Sequence, residues 1–397
     1  MKPKKLILLI LAGVNFTHIM FTMILMPLGD EFMEEFGINA LEFSHLVSVY
    51  AFAAFFSGFA GIFLIDRFDR KKSLLFLYSG FWIAALACST VSSYYQLLAL
   101  RFISGAFGGV IGALALAVVS DLFSFKERSS AIGILMAGFS AAAALGIPFG
   151  LILADWYNWR ITFVFIGGLG AVITLFIIFL FPAIAPPETT YKLSFLKNPL
   201  REILKDRNQV RALGVAFILI LGHFLIIPFI APYMIRNVGF NMQEISYIYL
   251  IGGTLTVFST PIIGRLSDRM GAVRSMVVFM ILSFIPVVLL TNMGHSPVVY
   301  GLVVTSLFFV LGSGRMIAPQ TIITAAAPTE TRGGFMSLKS SLQQLSIASA
   351  SLISGLVVVL EEDSGVFINY DWVGYLSIAI CILAVLLARK VKVARGN

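Results

Sequence analysis

Two histidines stand in matching surroundings 205 residues apart: His18 precedes Pro27 by nine residues, and His223 precedes Pro232 by nine. Imidazole is the side chain whose ordinary pKa lies nearest neutrality, so two of them deep in an apolar chain are suited to taking up and releasing protons. Three cations share that setting, Arg101, Arg315 and Lys339. A cation at membrane depth costs about 2.5 to 3.5 kcal/mol on insertion scales, and such groups usually face a partner or a cavity. No carboxylate accompanies them, because all 20 Asp and Glu fall in loops or at the ends of apolar runs. A cationic interior without its own counter-ion is suited to an anionic ligand. We therefore expect Arg315 and Lys339 to bind a carboxylate or phosphate on a substrate, with the polar groups of Asn15, Gln343 and Gln344 beside them. His18, His223 and Arg101 form the expected proton-coupling set, the two histidines facing one another across a pathway. The small neighbours of Arg315 and the nearby Pro319 suggest an open local backbone. Blander readings compete: Lys339 snorkels to the membrane surface, Arg101 is a structural post on helix carbonyls, and each histidine is a packing residue.

Other chemistries lack their residues. No nucleophile with a base, no metal cluster and no carboxylate pair lies near the apolar runs, which leaves a lipid-acting membrane enzyme as a remote alternative. No Gly-rich loop with Lys and Ser or Thr is present to cradle nucleotide phosphates. Cys88 and Cys381 both fall inside predicted spans and read as small packing residues, so no disulfide, metal or cofactor is expected.

The elements that must hold these groups follow from composition. With 59% hydrophobic and 12% charged residues, a water-soluble chain of 397 residues could not hide its apolar side chains, whereas a lipid-embedded bundle need not. A spanning helix needs about 20 apolar residues, and twelve such stretches lie between Leu6 and Val391. The predicted architecture is all-α, with twelve transmembrane helices in two pseudo-symmetric six-helix bundles. The bundles occupy residues 1–182 and 212–397, with a cytoplasmic linker at 183–211 that reads equally as an amphipathic surface helix or a flexible basic tether. The basic start of the chain reads as an uncleaved first helix, since no small-residue cleavage site follows it. The net charge of +8 does not point to nucleic acid: 23 of the 28 Lys and Arg gather in the termini and alternate loops, and 11 of the carboxylates lie at the opposite end. That bias places both termini in the cytoplasm.

The second half repeats the first. Asp268 follows Asp66 by 202 residues and Arg332 follows Arg128 by 204, in register with the histidine offset. Parallel repeats with a substrate site between them mark one large transporter architecture. An Asp at a helix end can meet a neighbouring helix N-terminus, and adjacent Arg and Lys can pair with Glu127 across the cytoplasmic face; such contacts made in one conformation and broken in another would form a gate. The competing reading is that these charges only set topology.

The loops Asp66-Arg67-Phe68-Asp69-Arg70-Lys71 and Asp268-Arg269-Met270-Gly271 resemble those between helices two and three, and eight and nine, of the major facilitator superfamily. Arg101-Phe-Ile-Ser-Gly105-Ala-Phe-Gly108-Gly109 is similar to its Arg-containing fourth-helix motif. Leu145-Gly146-Ile-Pro148-Phe-Gly150, followed by Trp159-Arg160, resembles the fifth-helix motif of the bacterial drug and metabolite:proton antiporter (efflux) branch. Asp69 stands where that loop usually has Gly, and the first helix lacks the embedded carboxylate of many proton-coupled relatives. The resemblance implies a monomeric secondary transporter of the bacterial cytoplasmic (inner) membrane that works by alternating access. It would exchange protons for a small organic molecule, anionic or, given 36 Phe, amphipathic. Asp66, Arg67, Arg70, Asp268, Arg269, Glu127, Gly146, Pro148 and Gly150 are its expected gate and hinge residues. An importer or facilitator of an organic anion on the same fold is the alternative.

Overall fold

The computed structural model describes residues 4–64, 68–184, 200–328, 331–361 and 363–392. Twelve long helices run through them. The first six are α1 (Lys4–Ile24), α2 (Ala40–Leu64), α3 (Arg70–Ala87), α4 (Tyr94–Leu122), α5 (Ser130–Trp156) and α6 (Trp159–Leu180). The second six are α7 (Arg207–Val238), α8 (Met242–Met270), α9 (Ala272–Thr291), α10 (Val298–Ala325), α11 (Arg332–Val357) and α12 (Tyr370–Ala388). Eleven are long and apolar enough to cross a membrane. The exception is α11, whose serines, Lys339, Gln343 and Gln344 lower its hydropathy, and it packs along α2, α7 and α12. In hydrocarbon every backbone group must be satisfied within its own segment, which is why apolar runs of this length become helices.

The helix starts are written locally. Asp69 caps α3 by accepting from the Lys72 amide at 2.9 Å, Asn158 caps α6, Asp206 caps α7 and Asn241 caps α8. Each side chain satisfies an amide that has no partner within its helix. Helix α5 widens into a π turn over Ala142–Gly146, where the Ile147 amide reaches back to the Ala142 carbonyl. The cause is Pro148: it has no N–H to offer Ala144, and its ring would strike that carbonyl in a regular helix. The expected opening of α10 around Arg315 is not found, because the helix runs unbroken through Pro319.

The halves meet through two pairs of helices that the repeat makes equivalent, α2 with α11 and α5 with α8. Ser351 Oγ donates to the Ser44 carbonyl at 3.1 Å in the first pair, and a Cβ on Gly253 would come within 2.9 Å of the Ala144 Cα in the second. We call the end carrying most carboxylates the acidic end and the other the basic end. At the acidic end one apolar core is continuous across the halves, joining Ile24, Phe32 and Phe43 to Phe229, Ile245 and Val373. At the basic end the second half has its own core, including Ala212, Ile323 and Phe335, with Phe59 of α2 packed on it. Of the 183–211 segment, residues 200–205 are helical and Ile203 is buried in that second core; residues 185–199 lie outside the described residues.

Candidate transport site

Between the halves lies a cavity of about 20 Å³, room for about one water. Thr22, Met23 and Met26 of the first helical region, Val47, Tyr50 and Ala51 of α2, Arg101 of α4, Phe224 of α7, and Gln344 and Ile347 of α11 form its wall. A larger open groove of about 570 Å³ between α3 and α4 is lined by Lys72, Leu75, Phe76, Ser79, Gly80, Ile83 and Phe107. None of these belongs to the expected site, whereas Arg101 and Gln344 line the small central cavity.

In the first half a polar knot surrounds Tyr50. Its hydroxyl lies 2.9 Å from His18 Nε2 and 3.3 Å from Thr22 Oγ1. The Arg101 guanidinium lies 4.6 Å from the Tyr50 ring centre and 4.8 Å from that of Phe21. Arg101 Nε donates to the Leu46 carbonyl at 3.2 Å and Nη1 to the Phe21 carbonyl at 3.4 Å, so this cation ties α4 to α1 and α2. Close approach of α4 to α2 requires Gly105 and Gly109, where a Cβ would sit 2.3 Å from the Tyr50 carbonyl and 2.4 Å from that of Ala54.

In the second half the histidine contacts the cation directly. Arg315 Nη2 lies 2.6 Å from His223 Nδ1, so a neutral imidazole accepts from the guanidinium. Arg315 Nη1 lies 3.6 Å from Cys381 Sγ, the side chain has no exposed surface, and its Nε has no hydrogen-bond partner. Among the described residues it has no carboxylate partner. Phe224, whose ring lies 5.7 Å from that of His223, belongs to the cavity wall, whereas His223 and Arg315 do not.

The structure thus brings Arg101 and Gln344 together at the cavity and leaves the other expected ligands off its wall. Arg315 is enclosed. Lys339 is buried with Nζ on Gln320 Oε1, Asn15 donates to the Leu135 carbonyl at 3.0 Å, and Gln343 is half-buried beside Gln344. The histidines do not pair with each other; each is engaged within its own half. Tyr50 and Thr22 were missed, although a tyrosine and a threonine inside apolar runs are themselves a signal of a buried hydrogen bond.

The residues expected to form a gate divide similarly. Asp66 and Arg67 lie outside the described residues. Arg70 is buried and its Nε meets Asp121 Oδ2 at 2.9 Å, which fastens α3 to the end of α4; Asp121, in the last turn of its helix, was not foreseen. Lys71 caps the end of α6, donating to the carbonyls of Ile178 and Phe181 at 2.8 Å each. Glu127 takes a different partner from the one expected: it accepts from the Ser124 hydroxyl at 2.9 Å and pairs with Lys4 of α1 at 3.1 Å. The Ser124 bond and then Lys4 hold its carboxyl below the usual range. Asp268 and Arg269 are exposed in the last turn of α8, without ion-pair partners among the described residues. Gly146 closes the π turn beside Phe16 and Met20, and Gly150 accepts from Thr162 Oγ1 at 2.7 Å.

Two repeat-related bundles of long helices, eleven of which are apolar enough to cross a membrane, around a small, mostly apolar cavity define a membrane transporter. The chain belongs to the Major Facilitator Superfamily, whose model matches residues 10–212 and again 212–395. It is 24% identical to the uncharacterized MFS-type transporter YbcL of Bacillus subtilis (strain 168), over 95% of this chain and 94% of that protein. It is 23% identical to a probable sugar efflux transporter of Helicobacter acinonychis (strain Sheeba), over 60% of each. Its fold matches that of a bacterial homologue of the human lysosomal transporter Spinster in an inward-facing, unoccupied conformation, with a TM-score of 0.76, 14% identity and 98% of each chain covered.

Proposed function

We propose that this chain is a secondary active transporter that exports a small anionic or amphipathic organic molecule in exchange for protons, by alternating access. Residues 1–182 and 212–397 act as the two moving halves, joined by 183–211. The basic end faces the cytoplasm of a bacterial cell and holds both termini, in accord with the distribution of Lys and Arg.

The observation that carries the substrate class is Arg315. A guanidinium stays charged at any working pH, yet here it is fully enclosed with a neutral histidine, a thiol and an orphaned Nε. An enclosed charge lacking a counter-ion is unfavourable by several kcal/mol. Separation of the halves at the basic end would admit water and then an anion, which supplies the missing partner. Lys339, whose Nζ is held only by an amide oxygen among the described residues, adds a second positive charge along the same route. Proton exchange is assigned to His223, whose Nδ1 is released when an anion draws Arg315 away, and to His18 through Tyr50. The π turn before Pro148, with Gly146 and Gly150, is the flexible point of α5. Export is favoured over import by the fifth-helix motif and by the name of the Helicobacter relative.

The test is thermal unfolding of purified protein against a panel of anionic metabolites. A ligand that binds the folded state raises the melting temperature by mass action. We expect an anion to do so in the parent and to lose its effect in Arg315→Gln and Lys339→Gln; retention in the double variant would refute the assignment. Uptake into proteoliposomes under imposed pH gradients of either sign then decides direction.

A further inference from the structure

The acidic end holds a device that the transport reading does not use. Between α11 and α12 the chain forms a short antiparallel hairpin, β1 (Val359–Leu360) with β2 (Phe367–Ile368). It is fastened to the end of α7 by a two-way bond: Asn237 Nδ2 donates to the Phe367 carbonyl at 2.7 Å, and the Phe367 amide donates to Asn237 Oδ1 at 2.9 Å. The neighbouring Arg236 donates to the Gly365 carbonyl at 3.5 Å and, through Nε, to Asp30 of the first half. Asp30 and Arg236 are 206 residues apart, one beyond the histidine offset, so near-equivalent positions of the two repeats meet across the seam. The buried Phe367 ring lies edge-on to Phe229 at 5.9 Å, and Phe229 edge-on to Phe43 of α2 at 5.6 Å, so the hairpin reaches the first half by an aromatic route too.

We propose that the β1–β2 hairpin is a strap which, through Asn237, aims Arg236 at Asp30 and so latches the acidic end shut. The ion pair is largely screened from water, its side chains 21% and 13% exposed, so loss of one partner leaves the other charge enclosed and uncompensated. The latch senses pH through Glu31, which adjoins the latch carboxylate Asp30 in the chain and is half-buried. On its own short helix between α1 and α2, Gly29–Phe36, Glu31 has Asp30, Glu34 and Glu35 as neighbours; Asp155 faces it from α5, Arg160 pairs with Glu35 from α6, and Arg236 of α7 pairs with Asp30. Glu42 of α2, Glu244 of α8, Glu361 and Asp363 of the hairpin and Asp371 at the start of α12 are further charged groups of this end among the described residues. Burial first, then the surrounding carboxylates, push Glu31 up to about 7 in the closed arrangement. Opening hydrates it and returns it toward its ordinary value. The closed state therefore holds the proton more tightly between the two values, and closure weakens as pH rises through about 7.

The proposal rests on the reading that the halves separate at this end, so its test reads motion rather than transport. The full chain carries fluorophores at Tyr157→Cys and Val299→Cys, exposed positions on opposite halves, and energy transfer is followed in lipid nanodiscs from pH 5 to 8.5. We expect transfer to fall with rising pH in the parent, to be low at all pH values in Arg236→Gln, to be lowered in Asn237→Ala and less so in Asn237→Ser, and to be high without pH dependence in Glu31→Gln. Melting curves confirm that each variant is folded. An unchanged distance in folded Asn237→Ala with an open Arg236→Gln overturns the strap, and a parent-like pH profile in Glu31→Gln overturns the pH response. No movement in the parent or in Arg236→Gln overturns the rocking of the halves itself, whereas failure to find a substrate leaves these readings untouched.

Discussion

The two halves carry the same histidine at equivalent places in α1 and α7, yet its surroundings differ. His18 meets a phenol, and the nearby Arg101 is held by two carbonyls and two aromatic faces. His223 meets a guanidinium head-on, and Arg315 keeps an unpartnered nitrogen. Duplication fixed the helix and the imidazole; divergence decided whether the adjoining cation is satisfied. A satisfied cation ties helices together, while an under-satisfied one has something to gain from a ligand, so the first half reads as the frame and the second as the working side.

The comparison breaks most directly at Arg101. Arg101→Met removes two main-chain hydrogen bonds and two cation–π contacts, and should lower the unfolding free energy by about 3 kcal/mol; chemical denaturation in detergent checks this, and a loss near zero would remove the frame reading. Arg315→Met should have the opposite sign, because an apolar side chain of similar volume replaces an enclosed cation without a counter-ion. We expect a gain of about 1 kcal/mol together with loss of anion-induced stabilisation, and a loss as large as that of Arg101→Met would erase the asymmetry. Tyr50→Phe sharpens the contrast within the first half: it keeps the ring beneath Arg101 and deletes the hydroxyl bonded to His18, for a loss of about 1 kcal/mol in the same measurement. The smallest effect belongs to the basic surface, where Glu127→Gln should leave the melting temperature unchanged because its pair with Lys4 is solvated; a shift as large as that of Tyr50→Phe would show that this contact is part of the frame.

The spans and the repeat were legible because each is written in the order of residues along the chain, and the helix caps that the structure shows are local in the same way. Asp69, Asn158, Asp206 and Asn241 cap their helices whatever lies beyond them, and an apolar run in lipid has no option but to bond within itself. The polar partnerships were not legible. Arg70 with Asp121 spans 51 residues, His223 with Arg315 spans 92, and Asp30 with Arg236 spans 206. A helix apolar on all sides carries no stripe to say how it is turned about its axis, so the sequence put Asn15 and Lys339 on the right helices but did not show that neither lines the cavity. The amino-acid order by itself determined that the chain forms long apolar helices, roughly where they start and that they come in two copies. Only the packed halves decided which cation is satisfied, which is enclosed and which end is shut, since those depend on helix rotation and on contacts that exist only once the halves have met.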